Sequence, residues 1–166
     1  MLITVGSDAR LRIGGRQFPC ALGRGGISAA KREGDGATPA GSFPLRHVLF
    51  RADRLARPAT ALAVHPIAPD DGWCDDPADA AHYNRPVRLP HAGRCERLWR
   101  ADALYDVLAV IGYNDAPPVP GLGSAIFLHV ARPDYAPTEG CVALALPHLL
   151  AVLATCTAAS LLQIEP

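Results

Sequence analysis

Cys141 lies in the run Pro137-Thr138-Glu139-Gly140-Cys141-Val142, and a short loop upstream His129 closes the apolar stretch Ala125-Ile126-Phe127-Leu128. A thiol becomes an acyl-transfer nucleophile when a base takes its proton and donors meet the oxyanion formed on the attacked carbonyl. Gly140 allows unusual backbone angles and close approach of a substrate, and Cys141 heads an apolar strand that holds its thiol in a fixed direction. His129 supplies an imidazole, the side chain that most often moves protons near neutral pH. The loop from Ala131 to Pro137 is long enough to bring the two segments side by side. A working thiol is expected to ionise more readily than the other four cysteines. Both residue types also have structural uses, Cys as a small buried apolar group and His as a hydrogen-bonded core residue, so the pair alone leaves both readings open.

Other polar groups invite separate readings. Asp70-Asp71-Gly72-Trp73-Cys74-Asp75-Asp76-Pro77, followed by Tyr83-Asn84-Arg85, reads as a solvated loop or as a lid. As a lid it pairs Asp75 or Asp76 with a substrate ammonium and uses Tyr83, Asn84 and Arg85 on carboxylate or amide groups. Cys74, His82, His91 and Cys95 are zinc-type donors, but their spacing matches no common pattern, and neither a metal nor any other cofactor is expected. Gly23-Arg24-Gly25-Gly26 lacks the Gly-Lys-Ser/Thr ending of a phosphate loop and reads as a flexible loop. His47, His65 and His148 are expected in structural hydrogen bonds, and Trp73 and Trp99 in packed interiors.

The elements that must position this chemistry are short. Apolar or alternating segments recur at Leu2–Val5, Arg10–Ile13, Arg16–Leu22, Ser42–Phe50, Leu62–His65, Val107–Tyr113, Ala125–Val130, Cys141–Leu144 and Leu161–Ile164. They read as strands, with 15 Gly and 16 Pro supplying the turns between them. Thr38-Pro39-Ala40-Gly41 has the Pro and Gly placement of a type I turn. One helix is expected from Pro147 to Ala154, started by the proline, and a second, shorter one around Glu96–Leu104. With no repeat or linker, residues 1–166 read as a single mainly β domain, a sandwich or barrel with one C-terminal helix.

An apolar fraction of 49% against 19% charged residues supplies material for a packed core. Sixteen basic residues balance sixteen acidic ones, which argues against nucleic acid as a partner. No apolar stretch reaches the roughly 18 residues of a membrane span, and membrane partnership is not expected. The N-terminus has neither the basic start nor the apolar run of a signal peptide, so a cytoplasmic location is expected. Five cysteines at irregular spacings suit a reducing compartment and leave at least one free thiol.

Ile126-Phe127-Leu128-His129 followed by Thr138-Glu139-Gly140-Cys141-Val142 resembles the signature of the L,D-transpeptidase catalytic domain (YkuD) family. Lys31 through Phe43, containing Thr38-Pro39-Ala40-Gly41-Ser42-Phe43, looks like that family's Thr-Pro-x-Gly-x-Phe segment. The resemblance implies a β-sandwich or barrel. It also implies attack on the amide between diaminopimelate and D-alanine in a peptidoglycan-derived peptide or muropeptide, through a thioester. Cys141 is then the nucleophile, His129 the base and later the acid, and the N–H groups at Gly140 and Cys141 the oxyanion donors. Thr138, Glu139, Asp75, Tyr83, Asn84 and Arg85 are the expected substrate contacts. Three departures mark a divergent branch: Glu139 replaces the usual His, Ala143 replaces the usual Arg or Asn, and the loop after His129 is short. Arg85 and Arg132 are the candidate replacements for the lost cation. Glu139 either orients His129 or faces solvent, and in the former's absence a backbone carbonyl holds the imidazole. Water as acceptor gives L,D-carboxypeptidase activity, expected for a cytoplasmic protein, and an amine gives a cross-link. A groove that binds wall fragments without cleaving them is the remaining alternative.

Overall fold

Val107-Leu108-Ala109-Val110-Ile111 is apolar at every position, and all five residues are buried. A strand carries such a run when both of its faces are covered. The computed structural model, which describes residues 1–166, shows how that happens. In chain order the elements are β1 (Leu2–Gly6), β2 (Arg10–Ile13), β3 (Arg16–Pro19), β4 (Ile27–Ser28), β5 (Thr38–Pro39), β6 (Gly41–Phe50), β7 (Ala63–Pro66), β8 (Asp71–Cys74), β9 (Pro86–Arg88), β10 (Cys95–Arg97), β11 (Val107–Ile111), β12 (Phe127–Val130), β13 (Val142–Leu144), α1 (Leu146–Leu153) and β14 (Leu161–Glu165).

Nine strands form one sheet in the order β13-β12-β11-β6-β14-β1-β2-β3, with β7 paired to β6. The ten-residue β6 joins its two halves, pairing Gly41–Pro44 with β14 and Leu45–Phe50 with β11 across a register shift between Ala109 and Ile111. Beyond β3 the chain meets the opposite edge of the sheet. Ala21 and Ala143 exchange both backbone hydrogen bonds, at 2.8 and 2.9 Å. The sheet therefore curls into a nearly closed barrel, with residues 21–24 and 138–143 as its seam.

Alternation assigns the faces. Val107, Ala109 and Ile111 point into the larger core with Leu128, Val142 and Leu144, and α1 plugs it with Leu149, Val152 and Leu153. Each of the buried Val, Leu and Ile side chains contributes about 1.5–3 kcal/mol. Leu108, Val110, Phe127 and Cys141 point the other way, into a second apolar cluster with Ile67, Trp73, Leu98 and Tyr105. That outer face is covered by a separate three-stranded sheet, β10-β8-β9.

The nine expected strands are present with ends that differ by no more than three residues, and the helix is displaced by one residue from the expected range. Three local readings change. Thr38–Pro39 is not a turn but a two-residue strand pairing in parallel with β4. The expected helix at Glu96–Leu104 is absent, since Cys95–Arg97 pairs with β8 instead. The acid-rich segment from Asp70 is β8 itself, with Gly72, Trp73 and Cys74 buried. No helix is long and apolar enough to cross a membrane.

Candidate active site

The strands β12 and β13 run parallel, with His129 opposite Ala143 and Leu128 opposite Val142. Continuing that register by one residue sets Cys141 opposite Phe127. Residues directly opposite, and residues two apart on one strand, share a face. Cys141 and His129 therefore lie diagonally on the same outer face, and both line a cavity of about 470 Å³.

Local hydrogen bonds fix the Cys141 segment. Thr138 donates its hydroxyl to the Cys141 carbonyl at 2.7 Å and accepts from the Gly140 N–H at 3.1 Å. Gly140 has φ +134°, and a Cβ there would meet the Ala37 carbonyl oxygen at 2.8 Å. Underneath, Gly23 passes so close that a Cβ would sit 3.0 Å from the Gly140 Cα and 2.2 Å from the Gly36 carbonyl oxygen. The Gly23–Gly26 segment is thus an ordered part of the seam, not a flexible loop: Arg24 N–H donates to the Thr138 carbonyl, and Gly23 N–H to the Thr38 hydroxyl. With the Gly140 N–H committed to Thr138, only the Cys141 N–H of the expected oxyanion pair is without an acceptor.

The Cys141 thiol donates to the Ala125 carbonyl at 3.3 Å and accepts from the Phe127 N–H at 3.4 Å. It makes no hydrogen bond to His129. Ala125 holds a left-handed backbone at φ +53°, uncommon for a residue with a side chain. Its N–H is anchored by the Asn84 side-chain oxygen at 3.0 Å. The His129 Nδ1 is 2.9 Å from the Val130 carbonyl. A carbonyl only accepts, so Nδ1 carries the proton and Nε2 keeps its lone pair. A backbone carbonyl, rather than Glu139, holds the ring. Tyr105 packs edge-on against that ring with centroids 5.3 Å apart, and its hydroxyl donates to Glu96.

Both groups are neutral at rest. Burial, with the Glu96 carboxyl adding to it, raises the Cys141 thiol to about 12, and burial lowers the His129 imidazole to about 4. The expected easily ionised thiol is therefore not present. Burial, with the Asp8 carboxylate adding to it, also raises Cys20 to about 12, and burial is the leading cause that takes Cys95 and Cys156 to about 11.

The structure sorts the expected substrate contacts. Asp75 lines the cavity but is paired with the Arg94 guanidinium at 3.0 Å. Asp76 caps backbone instead, accepting from the N–H groups of Ala78 and Arg94. Glu139 also borders the cavity, exposed, and pairs with Arg24 at 2.9 Å. Thr138 borders it with its hydroxyl used inside the turn.

Tyr83 and Asn84 do not face the cavity, which corrects the lid reading. The Tyr83 hydroxyl donates to Glu33 at 2.5 Å and accepts from the Gly123 N–H at 3.0 Å. Asn84 accepts from Trp73 Nε1 and Ala125 N–H and donates to the Tyr113 and Asn114 carbonyls, which uses its full capacity. Both are buried because they tie the wall together. Arg85 is exposed and away from the cavity, so of the two candidate cations Arg132 is the one that lines it, with no carboxylate partner. The remaining lining groups Lys31, Glu33, Glu96, Arg100, Tyr105 and Ser124 were not singled out in the sequence. A weak signal exists for Tyr105, two residues before an all-apolar strand.

A thiol, an imidazole nitrogen free to take its proton, one unpaired N–H at the nucleophile and a cavity with charges of both signs are the parts of a cysteine acyl-transfer centre. The chain belongs to the L,D-transpeptidase catalytic domain (YkuD) family, whose model matches residues 4–164. Among solved structures, the chain is similar to L,D-transpeptidase 1 of Mycobacterium tuberculosis at 13% identity and TM-score 0.46, over 99% of this chain and 61% of that one. It is similar to an L,D-transpeptidase from Mycobacterium smegmatis at 12% identity and TM-score 0.46, over 99% and 58%. The chain thus spans about three fifths of the length of those proteins. No curated protein sequence matches it.

Proposed function

We propose that this chain is a cysteine acyl-transfer enzyme of peptidoglycan stem peptides that breaks the L,D bond between diaminopimelate and a terminal D-alanine. The observation that carries the reading is the placement of Cys141 and His129 on one face of adjacent strands, in one cavity. Family membership supplies the substrate class.

In this reading the substrate carbonyl enters beside Cys141, and the thiol leaves the Ala125 carbonyl to meet His129 Nε2. The base takes the proton as sulfur attacks. The imidazolium that forms is held by the Val130 carbonyl on Nδ1. The Cys141 N–H meets the oxyanion, and Nε2 returns the proton to the departing D-alanine amine. Arg132 offers its free guanidinium to a substrate carboxylate, the role left open by Ala143. Water is the acceptor adopted here, giving an L,D-carboxypeptidase, because it needs no second peptide groove and about 470 Å³ suits one peptide end. An amine in place of water gives transpeptidation from the same thioester.

Incubation of the purified protein with disaccharide-tetrapeptide and with free tetrapeptide, followed by mass, tests this. Tripeptide and free D-alanine are expected with the wild type and neither with Cys141→Ala. Cross-linked dimers without tripeptide overturn the choice of water. No turnover of either substrate, with wild type equal to Cys141→Ala, overturns the enzymatic reading.

A further inference from the structure

The small β10-β8-β9 sheet brings together donors that the sequence spaces irregularly. Cys74 ends β8 and Cys95 begins β10, and the two are direct cross-strand partners. His91 comes from the β9–β10 loop and Asp79 from the β8–β9 loop. The sulfur atoms of Cys74 and Cys95 and a ring nitrogen of His91 lie within 4.8 Å of one another. Asp79 Oδ2 is 2.7 Å from His91 Nε2 and 3.9 Å from the Cys74 sulfur. Cys74 is fully buried, while the His91 and Asp79 side chains are 16% and 22% exposed, so the basin is screened but reachable.

We propose that Cys74, Cys95, His91 and Asp79 form a structural zinc site that ties β8, β10 and their two loops into the wall of the active cavity. Two thiolates, an imidazole and a carboxylate make a mixed donor set suited to a tetrahedral divalent ion of intermediate softness, with zinc the best match. Bonds of about 2.0–2.3 Å to zinc set donors about 3.5 Å apart, so the Cys74, Cys95 and His91 atoms close in by up to about 1.3 Å while Asp79 Oδ2 draws back from His91 Nε2 by about 0.8 Å. Binding displaces the two thiol protons to solvent. The partner that orients the carboxylate is already in place: His82 Nδ1 lies 2.9 Å from Asp79 Oδ1, with its side chain 53% exposed. Asp75, Arg94 and Glu96, each adjacent in sequence to a cysteine ligand, all line the cavity. The metal thus sets their positions without touching substrate.

The test uses the full chain, purified with reductant, stripped by a chelator and titrated with zinc against a chromophoric competitor, then with cobalt(II). One equivalent of zinc is expected, with a raised Tm. The cobalt form should show the intense visible bands of a tetrahedral site and a thiolate charge-transfer band. Cys95→Ser and His91→Ala should lose the stoichiometric site. His82→Ala should keep one equivalent and the tetrahedral spectrum, with affinity lower by about tenfold. Failure of the stripped wild type to take up one equivalent overturns the site, as does a weak octahedral cobalt spectrum or an unchanged one in Cys95→Ser. Loss of two thiols before reduction, with no metal uptake after it, identifies a Cys74–Cys95 disulfide instead and equally overturns it. The wild-type spectrum decides the matter even where a variant folds poorly.

Discussion

Alkylation of Cys141 tests how the nucleophile is activated. Burial moves its thiol from the ordinary 9.0 to about 12. At pH 7 that shift lowers the thiolate fraction about a thousandfold. A more basic thiolate is a better nucleophile, and a Brønsted slope of 0.4–0.5 applied to the rise in pKa from 9.0 to about 12 returns about 20-fold. The net expectation is alkylation about 50-fold slower than an ordinary exposed thiol, before any steric hindrance. Iodoacetamide labelling at a series of pH values, quantified by peptide mass, reads this directly. The logarithm of the Cys141 rate should climb with unit slope and show no plateau below about pH 11. In the chelator-stripped protein Cys95, the one cysteine of the five that is not buried, should label first. A Cys141 rate that is the fastest of the five and level from about pH 7 upward would show a thiolate already formed at rest, and would refute activation by His129 within the substrate complex.

Gly140→Ala places a side chain at φ +134° with its Cβ 2.8 Å from the Ala37 carbonyl oxygen. It should cost about 2–4 kcal/mol in denaturant unfolding, and a loss below about 1 kcal/mol would contradict the close approach. His129, lowered from 6.5 to about 4, takes its proton first in the unfolded chain as pH falls. Its contribution to stability is complete above pH 6.5 and lost on the way down to about 4, by up to about 3 kcal/mol. The unfolding free energy of His129→Gln should therefore fall less steeply than that of the wild type across this window, and parallel curves would count against the buried neutral imidazole.

The shared cavity of Cys141 and His129 was readable because each belongs to a short local pattern: a glycine before the cysteine, an apolar run before the histidine. Parallel pairing of adjacent segments then needed only a loop of sufficient length. Tyr83 and Asn84 were misassigned because polar side chains do not declare which way they face. Their partners Glu33, Gly123, Ala125 and Tyr113 lie 29 to 50 residues away. The strand β8 was hidden by its acidic neighbours, although its Trp73 and Cys74 are buried. Thr38-Pro39 carries real turn chemistry, but pairing with Ile27–Ser28 overrides it. The resting ionisation of Cys141 was the least legible property, since it depends on a wall built by Ala125, Phe127 and Glu96 rather than on the neighbours of the cysteine in sequence.

The seam between residues 21–24 and 138–143 has a kinetic consequence. The contact between Thr38 and the Cys141 carbonyl spans 103 positions and that between Arg24 and Glu139 spans 115. Contacts of such long range form late and slowly, after the loop-closure entropy has been met. A chain opened at this edge keeps Cys141 but loses the contacts that Thr38 and residues 21–24 make with its segment. Closure of this edge is therefore what assembles the surroundings of Cys141, and they exist only in the completed fold.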